Sequence, residues 1–210
     1  MTHIGHSEKV FVMRVFITVL VLIFSLQSWT KADDIRDFQI EGISIGDSAL
    51  DYFTNKDIKK AIKERIIYPN SQKFSMLTFY LHKNLKIYDS VQINHLTNDK
   101  ELIIYSISGI NYFENSINEC KKEKKIIVNE LSEIFKNSEK INKKKKHEYD
   151  KSGKSFIHQT LFDLISGDQI RVECYDWSKK MTKKYVLDDQ LIVSISHKDF
   201  SNFLKNEAYK

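Results

Sequence analysis

Runs of β-forming residues separated by turns of hairpin length constrain the fold of this chain most strongly. Such runs lie at 74–81, 85–96, 101–110, 156–164, 169–177 and 190–196. Residues 97–100 separate the second run from the third, and 166–168 supply a similarly short turn. Parallel neighbours would need crossover connections of a dozen or more residues. The pattern therefore predicts an α+β fold whose largely antiparallel sheet is built from two strand blocks.

Apolar and polar side chains alternate in the second run, which indicates a sheet with one covered face. Leu85, Ile87, Val91 and Ile93 share one side of this strand, and polar residues occupy the other. A helical pattern at about 115–136 supplies the cover, because its apolar residues recur at helical spacing. These residues are Ile117, Cys120, Ile127, Leu131 and Ile134. We expect one long helix to lie over the sheet, with Cys120 pointing toward it.

Residues ahead of the strand blocks predict a short strand and two short helices. The strand lies at 38–43, and Gly46 ends it. Asp47 or Ser48 is a suitable cap for a short helix through Phe53.

A second helix begins near Thr54, because Thr54 and Asp57 resemble a capping box. Its apolar residues are Ile58, Ile62 and Ile66, and we expect it to end at 68–71. A last helix is predicted at about 199–208. Together these elements place short N-terminal helices and a C-terminal helix around the sheet.

The N-terminal 32 residues have the pattern of a secretory signal peptide. An uncharged apolar run at 15–26 follows Lys9 and Arg14 and precedes small residues that end at Ala32. As a helix, twelve residues span about 18 Å, which is short of the roughly 30 Å hydrocarbon core of a bilayer. We expect cleavage between Ala32 and Asp33 and a periplasmic or secreted protein. An uncleaved signal, which alone would attach the chain to the membrane, stays open as an alternative.

Composition fits one exported domain over 33–210. The chain has 210 residues, 41% of them hydrophobic, with 6 Gly, 1 Pro and 2 Cys. These values exclude collagen-like, low-complexity and disulfide-framework proteins.

Positive charge concentrates in a lysine-rich stretch at 140–154, where seven lysines accompany Glu148 and Asp150. We interpret it as a solvated connection between the strand blocks. The alternative is contact with an anionic surface through Lys143, Lys144, Lys145 and Lys146, each contributing about 1 kcal/mol near the surface. Nucleic acid is not an expected partner, because of the compartment and because only three arginines follow the predicted cleavage point.

Two cysteines, Cys120 and Cys174, follow the predicted cleavage point. Both lie on apolar faces of their predicted elements, and an oxidising compartment favours their pairing. Closing a loop of about 55 residues would stabilise the fold by about 4 kcal/mol on the chain-entropy model. Two buried free thiols are the alternative. A metal site is not expected, since neither cysteine has a second Cys or His at ligand spacing.

Gly46-Asp47-Ser48 resembles the N-terminal block of the SGNH/GDSL esterases, in which the serine is the nucleophile. The resemblance would make Ser48 attack an ester. However, neither His158 nor His197 has an aspartate three positions before it, so neither completes the D-x-x-H motif of that family. A serine esterase therefore remains the alternative function, and Ser48 as a helix cap is the simpler interpretation.

Two further motifs fail on their spacing. Gly153-Lys154-Ser155 would end a phosphate-binding loop only if glycine occupied the position of Glu148, so we expect no nucleotide. The histidines show no metal-binding spacing. No cofactor and no metal are therefore expected.

Strings spread over nearly the whole mature chain resemble a group of small exported bacterial proteins of unknown activity. They are 40–53 (IEGISIGDSALDYF), 119–122 (ECKK), 149–155 (YDKSGKS), 171–178 (RVECYDWS) and 206–209 (NEAY). The resemblance implies export and a shared fold, and it transfers no catalytic residue.

These observations together predict an exported, non-enzymatic protein that binds a partner. The expected partner is an envelope protein or an anionic envelope surface. A hydrolase acting through Ser48 is the second hypothesis.

Overall fold

The computed structural model describes residues 35–80, 85–114 and 116–209. The predicted signal peptide and its cleavage point, Ala32 and Asp33, lie outside the described residues. Within the described ranges, no helix is both long enough and apolar enough to span a bilayer.

Ten strands and four α-helices occupy the described residues. The first half contains β1 (Gln39–Ile40), β2 (Ile43–Ser44), α1 (Asn55–Lys63), β3 (Ile66–Tyr68), β4 (Ser71–Tyr80), β5 (Ser90–Leu96) and β6 (Ser106–Phe113). The second half contains α2 (Ile117–Ile134), β7 (Glu139–Lys146), β8 (Phe156–Asp163), β9 (Gln169–Asp176), α3 (Lys179–Tyr185), β10 (Asp189–Ser196) and α4 (Lys198–Asn206).

Eight of the strands form one antiparallel sheet in the order β3-β4-β5-β6-β10-β9-β8-β7. Strands β3 to β6 form one meander and β7 to β10 another, and the two meet where β6 pairs with β10. Ser106 lies opposite Ser196, and Ser108 lies opposite Ser194. The predicted α+β class with two strand blocks is confirmed.

One face of the sheet is apolar and carries the main core. Helix α2 packs on it over β9, β10 and β6, as its stripe of apolar residues predicts. Cys120 of α2 and Cys174 of β9 form a disulfide with a Cα–Cα distance of 6.0 Å, and both are fully buried. The predicted pairing is confirmed.

The predicted strand at 38–43 is a hairpin of β1 and β2, because Glu41 and Gly42 turn the chain with φ values of 56° and 79°. The Glu41 carboxylate accepts hydrogen bonds from the backbone N–H groups of Lys86, Ile87 and Tyr88 at 2.7–2.8 Å. Those amides are then unavailable to a neighbouring strand. Strand β5 consequently begins at Ser90 and not at 85.

Helix α1 begins as predicted but ends earlier. Thr54 caps it by accepting a hydrogen bond from the Asp57 backbone N–H. The helix stops at Lys63, because Ile66–Tyr68 pairs with β4 as an edge strand and not as a further helical turn. Helix α3 was not predicted, and its short sequence of mostly charged residues carries one buried apolar side chain, Met181.

The lysine-rich stretch differs most from the expectation. Its first half is strand β7, paired with β8 along its whole length, and only 147–155 connects the two strands. Strand β7 is an outer edge of the sheet. Lysines on an edge strand oppose pairing with other chains, which is a structural reason for this composition.

Candidate functional site

The sheet face opposite α2 is polar across its centre. The pairing register aligns two cross-strand rows of side chains on it. One row contains Asn94, Ser106, Ser196 and Gln169, and the other contains Gln92, Ser108, Ser194 and Arg171. The sequence shows that polar residues alternate along each of these strands, but it does not reveal that polar residues of different strands share one surface.

The four serines at the centre are only 1–8% exposed. The hydroxyls of Ser106 and Ser196 lie 2.8 Å apart, as do those of Ser108 and Ser194. Each pair has two hydroxyl protons and uses one for its mutual hydrogen bond, so one donor remains together with acceptor lone pairs. The two rows of side chains form the floor of a candidate binding site, and its serines therefore retain hydrogen-bonding capacity toward a bound molecule.

A cavity of about 680 Å³ lies over this floor, within the range typical of small-molecule sites. Every strand of the eight-stranded sheet contributes to its lining, from Tyr68 of β3 to Lys145 of β7. Phe200 and Leu204 of α4 form part of one wall, and the connection after β7 forms part of another. The curled sheet thus forms an open polar basin.

Tyrosines surround the basin. Tyr68 donates a hydrogen bond to the Asn94 side-chain oxygen at 2.7 Å, which leaves the Asn94 amide protons free to donate. Burial raises the pKa of Tyr68, Tyr175 and Tyr209, and the charge of Arg171 acts in the opposite direction on all three. These phenols stay protonated at neutral pH and lie within electrostatic reach of one guanidinium group.

The connection at 147–155 is held by Asp150. Its carboxylate accepts hydrogen bonds from the Ser152 backbone N–H and from the hydroxyls of Ser152, Ser155 and Ser178, at 2.7–2.9 Å. The hydrogen bond from the Ser155 hydroxyl and, as the second largest cause, the one from the Ser152 hydroxyl hold the pKa of Asp150 well below its usual range. This network fixes the wall of the basin that follows β7.

We expect the Asp150 network to make stability depend on pH in the acid range. Because the folded-state pKa is depressed, the contribution is complete above the ordinary value of 3.8 and is lost as pH falls through the lower folded value. Asp150→Asn should therefore lower the melting temperature at pH 7, and the difference from the wild type should shrink toward pH 2. Exposed Asp51→Asn is the matched control. A difference that is constant between pH 7 and pH 2 would contradict the network.

His147 joins the same wall. Its ring lies 4.3 Å from the Trp177 ring and 5.2 Å from the Tyr175 ring, measured between centroids. Burial lowers the pKa of His147, so the ring is neutral at pH 7. The aromatic residues at the end of β9 thus support the basin wall.

Ser48 lies away from the basin, on the N-terminal segment bridged to Ile103. Its hydroxyl donates to the Glu101 backbone oxygen at 2.5 Å and accepts from the Leu50 backbone N–H at 3.2 Å. Among the described histidines, none is bonded to Ser48. The bond from Leu50 is that of a capping residue, and the bond to Glu101 ties the hydroxyl to a distant segment. The hydrolase hypothesis gains no base from the described geometry.

The four consecutive lysines do not form one flat patch. By register, Lys143 and Lys145 lie opposite Gln159 and Ile157, and Lys144 points to the other face of the sheet. Lys145 lies 3.9 Å from the Glu173 carboxylate, and the Lys144 ammonium lies 4.1 Å from the centroid of the Phe156 ring. Contact of Lys143–Lys146 with an anionic surface stays a prediction.

No cluster of three or more His, Cys, Asp or Glu side chains suited to a metal ion occurs in the part of the chain that the structure describes. No protein-family model, no curated protein and no solved structure matches this chain. The function is therefore inferred from the geometry of the polar basin.

Proposed function

We propose that this protein is an exported, non-enzymatic binding protein that holds a small polar molecule in the basin. The observation that carries the proposal is the buried, hydrogen-bonded polar floor beneath an open cavity. Burying polar groups costs free energy unless they are paired, and an apolar floor would bury the same surface at lower cost. Binding of a polar ligand explains why the floor is polar and not apolar.

The chemistry of the floor favours binding over catalysis. Its four described serines form two hydrogen-bonded pairs. None of these serines is hydrogen-bonded to a described histidine or carboxylate that would activate it as a nucleophile. Serine, asparagine and glutamine side chains instead offer both donors and acceptors, which suits a ligand with several hydroxyl or amide groups.

The disulfide supports export, because such bonds persist in oxidising compartments. We place the protein in the periplasm or outside the cell after cleavage near Ala32. The exposed lysines of β7 are suited to weak association with an anionic envelope surface, in addition to the basin.

Expression of the 210-residue chain in a bacterial host, with recovery of the periplasmic fraction, tests this proposal. We expect a denatured mass that begins near Asp33 and a native mass that includes a bound small molecule. Gln92→Phe, which fills the basin, should abolish the bound mass. Gln72→Phe places the same side chain at an exposed position of β4 and should retain it.

Two results would contradict the proposal. The wild-type protein recovered without any bound molecule would remove the binding function. A cytosolic protein with residues 1–32 intact would remove export. Circular dichroism of both phenylalanine variants shows whether the fold is preserved.

A further inference from the structure

We infer that the ligand of the basin is a small hydroxyl-rich anion, with its carboxylate or phosphate bound by Arg171. The inference rests on the proposed binding function and names its ligand class. Sugar acids and sugar phosphates share this chemistry, since each combines an oxyanion with a row of hydroxyl groups.

Arg171 is a half-buried cation for which the described part of the chain supplies no acidic partner. Within the described residues its guanidinium donates one hydrogen bond, to the Gln169 side-chain oxygen at 2.9 Å, and an arginine has five such donors. Among the described residues, no carboxylate forms a salt bridge with it. A planar guanidinium with free donors is the group that binds carboxylate and phosphate in a bidentate manner.

The buried acid of the basin floor is already engaged. Glu173 accepts a hydrogen bond from the Gln159 amide at 2.5 Å and lies 3.9 Å from the Lys145 ammonium. Among the described contacts of Glu173 there is no salt bridge to Arg171. A partly desolvated cation without a counter-ion is unfavourable, and an anionic ligand removes this cost.

The overall charge of the lining favours anions as well. Among the lining residues that the structure describes, cationic side chains outnumber acidic ones, four to two. They are Arg171, Lys145, Lys146 and Lys151, against Glu148 and Glu173. Clefts lined by one sign of charge attract ligands of the opposite sign.

The floor beside Arg171 provides hydrogen-bonding partners for the hydroxyl groups of a ligand at regular spacing. Gln92, Ser108 and Ser194 lie in the same cross-strand row as Arg171, on adjacent strands. Strands are about 4.8 Å apart, so this row extends roughly 14 Å from Arg171. A ligand anchored at Arg171 by its oxyanion can thus bond its hydroxyls to the serines.

Titration calorimetry with three probes tests the inference on the exported protein after dialysis. Glucuronate and glucose 6-phosphate carry the oxyanion, and glucose is the neutral match. We expect at least one of the two anions to bind tenfold or more tightly than glucose, with affinity falling as salt rises. The two anions distinguish a carboxylate site from a phosphate site.

Arg171→Gln should reduce the affinity for the preferred anion to that for glucose, and Arg171→Lys should restore part of it. Arg65→Gln is the matched control, since Arg65 is exposed and lies outside the basin. Melting temperatures of the three variants identify any loss of fold. Should Arg171→Gln fail to fold, the comparison of anions with glucose in the wild type still decides the question.

Equal affinity for glucose and for both anions would overturn the inference, as would unchanged anion affinity in folded Arg171→Gln. Failure of all three probes to bind would also overturn it. The proposed function would stand in each case if the native protein carried a bound mass that Gln92→Phe abolished. Absence of that mass would overturn both.

Discussion

Opening the Cys120–Cys174 disulfide is expected to lower the free energy of unfolding by about 4 kcal/mol. The bond joins α2 to β9 across a sequence separation of 54 residues. In the chain-entropy model, a cross-link of this length removes many conformations from the unfolded chain and stabilises the fold accordingly. Such a loss is a large fraction of the roughly 5–15 kcal/mol that stabilises an ordinary domain.

Urea unfolding of the mature protein with and without a reductant measures this effect. The double variant Cys120→Ala with Cys174→Ala is the control, because reductant should not change its unfolding midpoint. The reduced wild type should resemble the double variant. An identical midpoint for the oxidised and reduced wild type would contradict a stabilising role for the bond.

Gly109→Ala is expected to destabilise the protein by about 1–3 kcal/mol, the usual cost of overpacking a core. A Cβ at position 109 would lie 2.5 Å from two ring carbons of Tyr88. Tyr88 cannot easily move away, because the Glu41 carboxylate accepts hydrogen bonds from its backbone N–H and from those of Lys86 and Ile87. Glycine on this central strand is therefore required by the ring that packs against it.

A double-mutant cycle with Tyr88→Leu checks the cause of that loss. In the Tyr88→Leu background the added methyl group meets a smaller, more flexible side chain, so Gly109→Ala should cost less free energy of unfolding. Equal losses in both backgrounds would show that the ring is not responsible. Chemical denaturation of the four proteins supplies the measurement.

Local signals predicted much of the fold correctly. Thr54 and Ser48 act as caps because each side chain bonds to a backbone N–H two or three residues away, an interaction within one short segment. The stripe of α2 and the alternation of β9 indicated which way Cys120 and Cys174 point. Their pairing followed from two local patterns and the expected compartment.

Other elements depended on distant residues and were not predicted. Ile66–Tyr68 forms a strand only because β4 supplies its partner, and the lysines of β7 form a strand only because β8 does. The segment 85–89 does not form a strand because Glu41, more than forty residues away, binds its backbone.

The sequence by itself determined the α+β class, the helix that covers the sheet, the caps and the orientation of the two cysteines, because periodicity and capping act over a few residues. Only the tertiary structure decided that Arg171 lies beside Ser194 and in one row with Ser108 and Gln92. Strand order and register set those neighbours through hydrogen bonds between distant segments. The curl of the whole sheet then turns one polar face into a cavity.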